Sequence, residues 1–174
     1  MKEVSLVEML DAREKRAFTQ KILLEKYKCS LVFFTMNIAG PIKNSPLIKK
    51  AFEVGKNNLE KSFLRNKINC IYFDEISENT GNEAYYVIDD NPLTIKKLTC
   101  AVEESSSLAR LFDIDVIDFR GNKIDRKDIG LETRKCLICS NDAKACGRNR
   151  THSVEELQKE TRKILAEYFE GKNL

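Results

Sequence analysis

The run Arg110-Leu111-Phe112-Asp113-Ile114-Asp115-Val116-Ile117 constrains the fold more than any other stretch of this chain. Apolar residues alternate with two aspartates, the period-two pattern of a strand with one buried face. Such a strand sends Asp113 and Asp115 to the same side, roughly 6–7 Å apart. Like charges so placed call for a cation beside them. A divalent ion, most often magnesium where phosphates are bound, is the usual partner. The competing reading is a solvated strand face on which both carboxylates meet only water, and spacing alone leaves both open.

The rest of the chain supplies partners for that strand. Ser5-Leu6-Val7-Glu8 reads as a capping box, and Val7, Leu10, Ala17, Ile22 and Leu23 give a helical rhythm to about Tyr27. The apolar run 31–36 predicts a buried strand, broken by Gly40-Pro41. Ser45-Pro46 starts a second helix, with Ser as N-cap and Pro in the first turn. Strands are expected at 68–73 and 84–88 around the turn residues 79–82, and Asn91-Pro92 opens a third helix. Arg120-Gly121-Asn122 predicts a hairpin turn, with a strand returning through Lys123 to Arg126. A Cys/His-containing basic loop at about 134–152 precedes a second capping box, Ser153 to Glu156, and a C-terminal helix, 153–169. The order α-β-α-β-β-α-β-β-loop-α argues an α+β fold of one domain, 1–174, with a mixed, mainly antiparallel sheet packed with helices in two layers.

Composition narrows the function classes. A formal net charge of +3 is too small to argue for nucleic acid, and no apolar run reaches a bilayer's thickness. The N-terminus carries no secretory core, so a cytoplasmic setting is expected. There, six cysteines read as free thiols or a metal site rather than disulfides. Cys29, Cys70 and Cys100 stand singly in apolar contexts, as small core residues do. Cys136-x2-Cys139-x6-Cys146-x5-His152 is different: three sulfurs and an imidazole make a complete tetrahedral zinc set. Its rival is a reduced-thiol loop without metal.

Several groups around the carboxylates suit phosphate. Arg110 lies on the approach to the strand, and the return strand is expected to bring Arg126 and Asp128 near, with Asp128 a candidate third carboxylate. Gly40-Pro41-Ile42-Lys43-Asn44-Ser45 leads into a helix N-terminus, where free N–H groups and Lys43 favour an anion. The bland alternative is a well-capped connection. Arg134, Lys135, Lys144, Arg148 and Arg150 add positive charge to the cysteine loop, Arg by planar two-pronged contacts.

Three of these motifs, in order, resemble one family: Gly40-Pro41-Ile42-Lys43-x-Ser45, then Arg110-Leu111-Phe112-Asp113-Ile114-Asp115-Val116, then Arg134-Lys135-Cys136-Leu137-Ile138-Cys139 with Cys146, Arg148 and Thr151-His152. The family is the citrate lyase holo-acyl-carrier-protein synthases, or apo-citrate lyase phosphoribosyl-dephospho-CoA transferases (CitX), and the likeness runs from about Leu31 to Leu165. It implies a nucleotidyltransferase that joins a triphosphoribosyl-dephospho-CoA group to a serine of the citrate lyase acyl carrier protein (gamma subunit) and releases pyrophosphate. It further implies a divalent ion at Asp113 and Asp115, with Arg110, Arg134, Arg148 and Lys43 on the triphosphate. A nucleotidyltransferase-like fold is among the options it leaves open, although the Gly-Ser signature of many such enzymes is absent before Asp113. Ser106-Ser107-Leu108-Ala109-Arg110 stands where the family has His-Pro-Leu-Gly-Arg, which removes a histidine and puts Ala where a Gly is expected. The alternatives are a transferase for another carrier protein and a non-catalytic zinc-bearing interaction domain.

Overall fold

Local signals start most elements. In the computed structural model, which describes residues 2–171, Ser5 Oγ accepts the Glu8 N–H and the Glu8 carboxylate accepts the Ser5 N–H, opening α1 (Leu6–Tyr27). Lys28, left-handed at φ 52°, ends it. β1 (Ser30–Met36) follows. Ser45 Oγ caps the Ile48 N–H, and Pro46 sits in the first turn of α2 (Pro46–Arg65). β2 (Cys70–Glu78) and β3 (Gly81–Ile88) form a hairpin. Asn91 Oδ1 accepts from the N–H groups of Leu93 and Thr94 to start α3 (Pro92–Glu103). A 3-10 turn at Leu108–Leu111 feeds β4 (Phe112–Ile117). α4 (Ala143–Asn149) and α5 (Val154–Glu170), the latter opened by the Ser153/Glu156 capping box, complete the chain.

The four strands pair antiparallel throughout in the order β2-β3-β1-β4, so β4 is an edge. Val32, Phe34, Ala84, Tyr86, Ile114 and Val116 point to one face of the sheet. There they pack on Ile48, Phe52 and Leu59 of α2, Ile95 and Val102 of α3, and Ile164 and Leu165 of α5. α2 comes close because position 55 is glycine: a Cβ there would lie 2.4 Å from the Phe34 ring. Leu31, Phe33, Tyr85 and Val87 point to the other face, where Leu23 of α1 covers them. The expected two layers are therefore joined by a third, because α1 docks on the second face.

Several expected details differ. The hairpin strands are longer than 68–73 and 84–88, since 74–78 and 81–83 pair across the turn although, apart from Ile76, they carry no apolar side chain. Cys100 is buried, Cys29 half-buried, and Cys70 exposed, because Cys70 begins the outer strand β2 next to a register shift. The return strand after Gly121 does not form. Lys123 makes a single bridge to Ile117 and the Ile124 N–H reaches Val116 O, but Asp125 then caps a 3-10 turn, Arg126–Ile129, that carries the chain off the sheet. The loop 134–152 contains the short helix α4. α1 buries only Leu23 fully, leaving Val7, Leu10 and Ile22 at the surface.

Candidate functional site

β4 buries Phe112, Ile114 and Val116 and turns Asp113 and Asp115 to the face that α1 covers in part. Asp113 stands opposite Thr35 and Asp115 opposite Phe33 of β1. The Asp115 carboxylate takes an ion pair from Lys123 Nζ at 2.7 Å, whereas among the described residues Asp113 has only the Arg134 guanidinium at 4.0 Å and is 54% exposed. Burial of its inner side and the charge of Asp115 push the Asp113 carboxyl above its ordinary value, and Arg134 opposes the rise. Burial works against the Lys123 charge, but the Asp115 hydrogen bond and both aspartate charges hold its pKa above normal. Paired carboxylate oxygens on one face, one pair short of a close cation, are hard donors that fit magnesium.

The exposed backbone edge of β4 is occupied from α3. The Ile114 N–H donates to Glu103 Oε1 at 3.0 Å, and Lys96 Nζ donates to Ile114 O at 3.2 Å. Both side chains are 5% exposed. Glu103 also receives Arg126 at 2.8 Å and lies 3.6 Å from Arg134, while Arg126 reaches Glu104 with its other nitrogen. Arg126 is thus tied to α3. Asp128 accepts the Asp125 N–H at 2.7 Å and serves as the cap of its own turn.

Arg134 and Arg110 lock the cysteine loop to the start of β4. Arg134 donates to Phe112 O at 2.8 Å and Arg110 O at 2.9 Å, and Arg110 donates to Cys136 O at 2.6 Å. Within the loop, Lys135 bridges Asp142 and the Cys136 N–H reaches Asn141 O, which folds Cys136 to Cys139 into a tight turn. Asp142 caps α4, which carries Cys146, and the chain turns at Arg150 to deliver His152. The ligand atoms of Cys136, Cys139, Cys146 and His152 all lie within 4.8 Å of one another. Burial raises the Cys136 thiol, yet the N–H groups of Cys139 and Ile138 bring it down to about 7. Burial and the neighbouring sulfurs push Cys146 up to about 11. Lys135 pairs with Glu132 at 3.5 Å, and Arg148 is exposed on the last turn of α4.

The segment 40–45 follows β1 toward α2. Gly40 is left-handed at φ 85°, Ser45 caps α2, and Lys43 Nζ donates back to Ile38 O at 2.6 Å. Burial and the nearby Arg13 charge lower the Lys43 pKa. Ala109 is fully buried in its 3-10 turn and is not among the positive-φ residues, so alanine in place of glycine strains nothing there.

Sequence reasoning passed over Glu103 and Lys96, which fall on α3 with no local mark of a strand contact, and over Arg16, whose guanidinium holds the buried Glu83 at 2.7 Å on the carboxylate face. A groove of about 530 Å³ lies apart from Asp113 between α1 and the β2–β3 turn, and polar residues such as Glu8, Lys15 and Asn44 line it.

A family model described as "Apo-citrate lyase phosphoribosyl-dephospho-CoA transferase" (CitX) matches residues 4–168. A probable apo-citrate lyase phosphoribosyl-dephospho-CoA transferase of Streptococcus pyogenes serotype M18 is 41% identical over 175 residues, covering 98% of this chain and 90% of the relative. One of Vibrio cholerae serotype O1 is 32% identical over 166 residues, covering 95% of this chain and 93% of the relative. Protein CitXG of Haemophilus influenzae is 36% identical over 155 residues, covering 89% of this chain; the chain spans 33% of that longer protein.

Proposed function

The chain belongs to the apo-citrate lyase phosphoribosyl-dephospho-CoA transferase family, and from that premise we propose that it attaches the prosthetic group carried by triphosphoribosyl-dephospho-CoA to a serine of the citrate lyase acyl carrier protein. The carrier serine oxygen attacks the phosphorus next to the ribose. The bond from that phosphorus to the bridging oxygen breaks, pyrophosphate leaves with the bond's electron pair, and the serine proton is released. A phosphodiester remains. The nucleophile comes from the partner, so this chain supplies positioning and charge.

The observation that carries this reading is the family match along nearly the whole chain, joined to two carboxylates on one face of β4. Asp113 and Asp115 would hold the divalent ion, which when bound neutralises phosphate charge and lowers the cost of the departing pyrophosphate. Arg134, beside Asp113, and Arg110, at the start of β4, are the cations best placed for the triphosphate, with Lys123 on Asp115. Lys43 and Arg148 are assigned to the outer phosphates, Gly40 and Ser45 to the shape of the Lys43 segment, and Lys135 to the rim. Arg126 and Asp128 act through the fold, by fixing Glu103 and the 125–129 turn. Cys136, Cys139, Cys146 and His152 are the seat of a zinc ion in the same scheme. The reaction is assigned to the cytoplasm; among the described residues no helix is long and apolar enough to cross a membrane.

Intact-mass measurement of the apo carrier tests the reading. Incubation with this protein, the triphosphoribosyl precursor and magnesium should add the phosphoribosyl-dephospho-CoA mass to the carrier. Asp113→Asn, with an unchanged circular-dichroism spectrum, should add none. An unmodified carrier with the unmutated protein overturns the assigned reaction, and full modification by Asp113→Asn overturns the role of that carboxylate.

A further inference from the structure

The metal seat in the loop sits against the phosphate-facing arginines, and this contact has a function of its own. Cys139 Sγ lies 3.6 Å from Cys146 Sγ and 3.2 Å from His152 Nε2. A zinc tetrahedron with Zn–S bonds of about 2.3 Å and Zn–N of about 2.0 Å has edges of about 3.8 Å between sulfurs and about 3.5 Å between sulfur and nitrogen. The two Cys139 edges therefore lie within a few tenths of an ångström of that size, and all four ligand atoms lie within 4.8 Å of one another. Cys136 and Cys146 are buried and the other two half-buried, so the cluster is closed, as structural zinc sites are, without an open position for a reacting ligand.

What the cluster holds is the backbone of residues 134–136. Arg134 carries the two hydrogen bonds to the carbonyls of Phe112 and Arg110, and the Cys136 carbonyl receives the Arg110 guanidinium. The chain is thus crossed twice between the cluster and the start of β4, once in each direction. We infer that zinc bound by Cys136, Cys139, Cys146 and His152 is a positioning centre: it fixes the loop so that Arg134 stands rigidly beside Asp113 and Arg110 at the start of β4, without itself touching substrate. The assignment of the arginines to phosphate rests on the proposed transferase reading; the zinc seat and its latch do not.

Binding zinc removes protons from the three thiols and closes a loop that has little apolar core of its own, so its loss releases residues 134–152. The arginines then pay a conformational entropy cost each time they meet an anion. Magnesium binding at Asp113 and Asp115 is left nearly unchanged, because those side chains are fixed by β4.

The test begins with metal analysis of the whole protein purified without chelator. Stoichiometric zinc, or cobalt taken up in its place with the absorption of a tetrahedral sulfur-rich site, is the expected result. Neither metal bound, or a mass two hydrogens lighter than the free-thiol chain, overturns the seat. The second step is calorimetric titration with inorganic triphosphate. Zinc-stripped protein and Cys139→Ser should bind it about tenfold more weakly, the loss of roughly one charge-assisted hydrogen bond, with manganese affinity changed less than twofold. Equal triphosphate affinity with and without zinc overturns the positioning role. If Cys139→Ser fails to fold, the unmutated protein stripped of zinc and then resupplied with one equivalent keeps the test: triphosphate affinity should fall about tenfold and then recover, and affinity that does not recover overturns the positioning role. Arg134→Gln separates the two readings: if zinc is present and this variant still binds triphosphate normally, the phosphate assignment fails and the zinc seat stands.

Discussion

Lys123 already occupies the position a divalent ion would share, and removing its charge should strengthen metal binding. The Lys123–Asp115 pair is 2.7 Å long with side chains 52% and 28% exposed. A pair of that exposure contributes about 0.2–1 kcal/mol after screening and side-chain entropy. An incoming ion must break or share it, so Lys123→Gln should lower the dissociation constant for Mn2+, used as a spectroscopic stand-in for Mg2+, by about 1.4- to 5-fold. The effect is electrostatic and should shrink as salt rises from 0.1 to 1 M and the screening length falls from about 10 to about 3 Å. Titrations followed by electron paramagnetic resonance at both salt concentrations measure it, with Asp113→Asn as the variant in which binding collapses. Affinity for Mn2+ that is unchanged or weaker in folded Lys123→Gln at low salt would refute the reasoning, because the ion would then not be using Asp115.

Three further perturbations follow from the same geometry. Asp113 has its pKa raised in the fold, so it binds its proton more tightly there than in the unfolded chain; stability falls as pH climbs from the ordinary carboxylate value through the raised one and stays lower above it. Asp113→Asn should therefore raise the melting temperature of metal-free protein at pH 7 by about 1–2 °C, from a repulsion of at most ~0.6 kcal/mol at roughly 6.6 Å in water, with the gain narrowing toward pH 4; a drop at pH 7 on thermal melting argues against net repulsion. Glu103→Ala leaves the Ile114 N–H and two arginines short of their acceptor and should cost about 3 kcal/mol in urea unfolding, whereas Glu103→Gln, which keeps the acceptor oxygen, should cost about half that; equal costs would show that charge alone matters. Gly55→Ala drives a Cβ to 2.4 Å from the Phe34 ring and should lose about 1–2 kcal/mol by the same measurement, despite alanine's better helix propensity; a stabilised variant would mean that α2 can move away from the sheet freely.

The parts of this fold that follow from short-range chemistry could be read in the sequence. Ser5 with Glu8, Ser45 with Pro46, Asn91 with Pro92 and Ser153 with Glu156 each supply a cap that needs no tertiary partner, and each begins a helix. The alternation in β4 fixed which side chains share a face, since a one-residue slip would bury both aspartates. The return strand does not form because turn and pairing signals compete there: Asp118 accepts the N–H groups of Arg120 and Asn122 as a hairpin turn requires, but Asp125 and Asp128 cap each other and end the pairing after Ile124. The face of α1 was not legible either. It meets the sheet partly through polar groups, with Arg16 stacked 4.9 Å over the Phe33 ring and bound to Glu83, so its apolar residues are no guide to the buried side.

The carboxylate strand lies at the edge of its sheet, and this placement explains why α3 buries two charges. An edge strand offers unpaired N–H and C=O groups along its outer side and tends to bend or recruit another strand. At Ile114, the residue between the two aspartates, Lys96 and Glu103 take up both groups. Seven residues apart on one helix, they are two turns apart on the same face and reach the strand together. Buried charged side chains are seldom the most stable filling for their volume, and an apolar side chain would avoid the desolvation cost. An apolar side chain, however, could neither accept the Ile114 N–H nor hold Arg126 and Arg134. Glu103 does all three: one carboxylate registers α3 against β4, fixes the turn after Asp125, and draws Arg134 toward Asp113. The direction of the two exposed carboxylates is therefore set from behind, through the backbone, by groups that no substrate reaches.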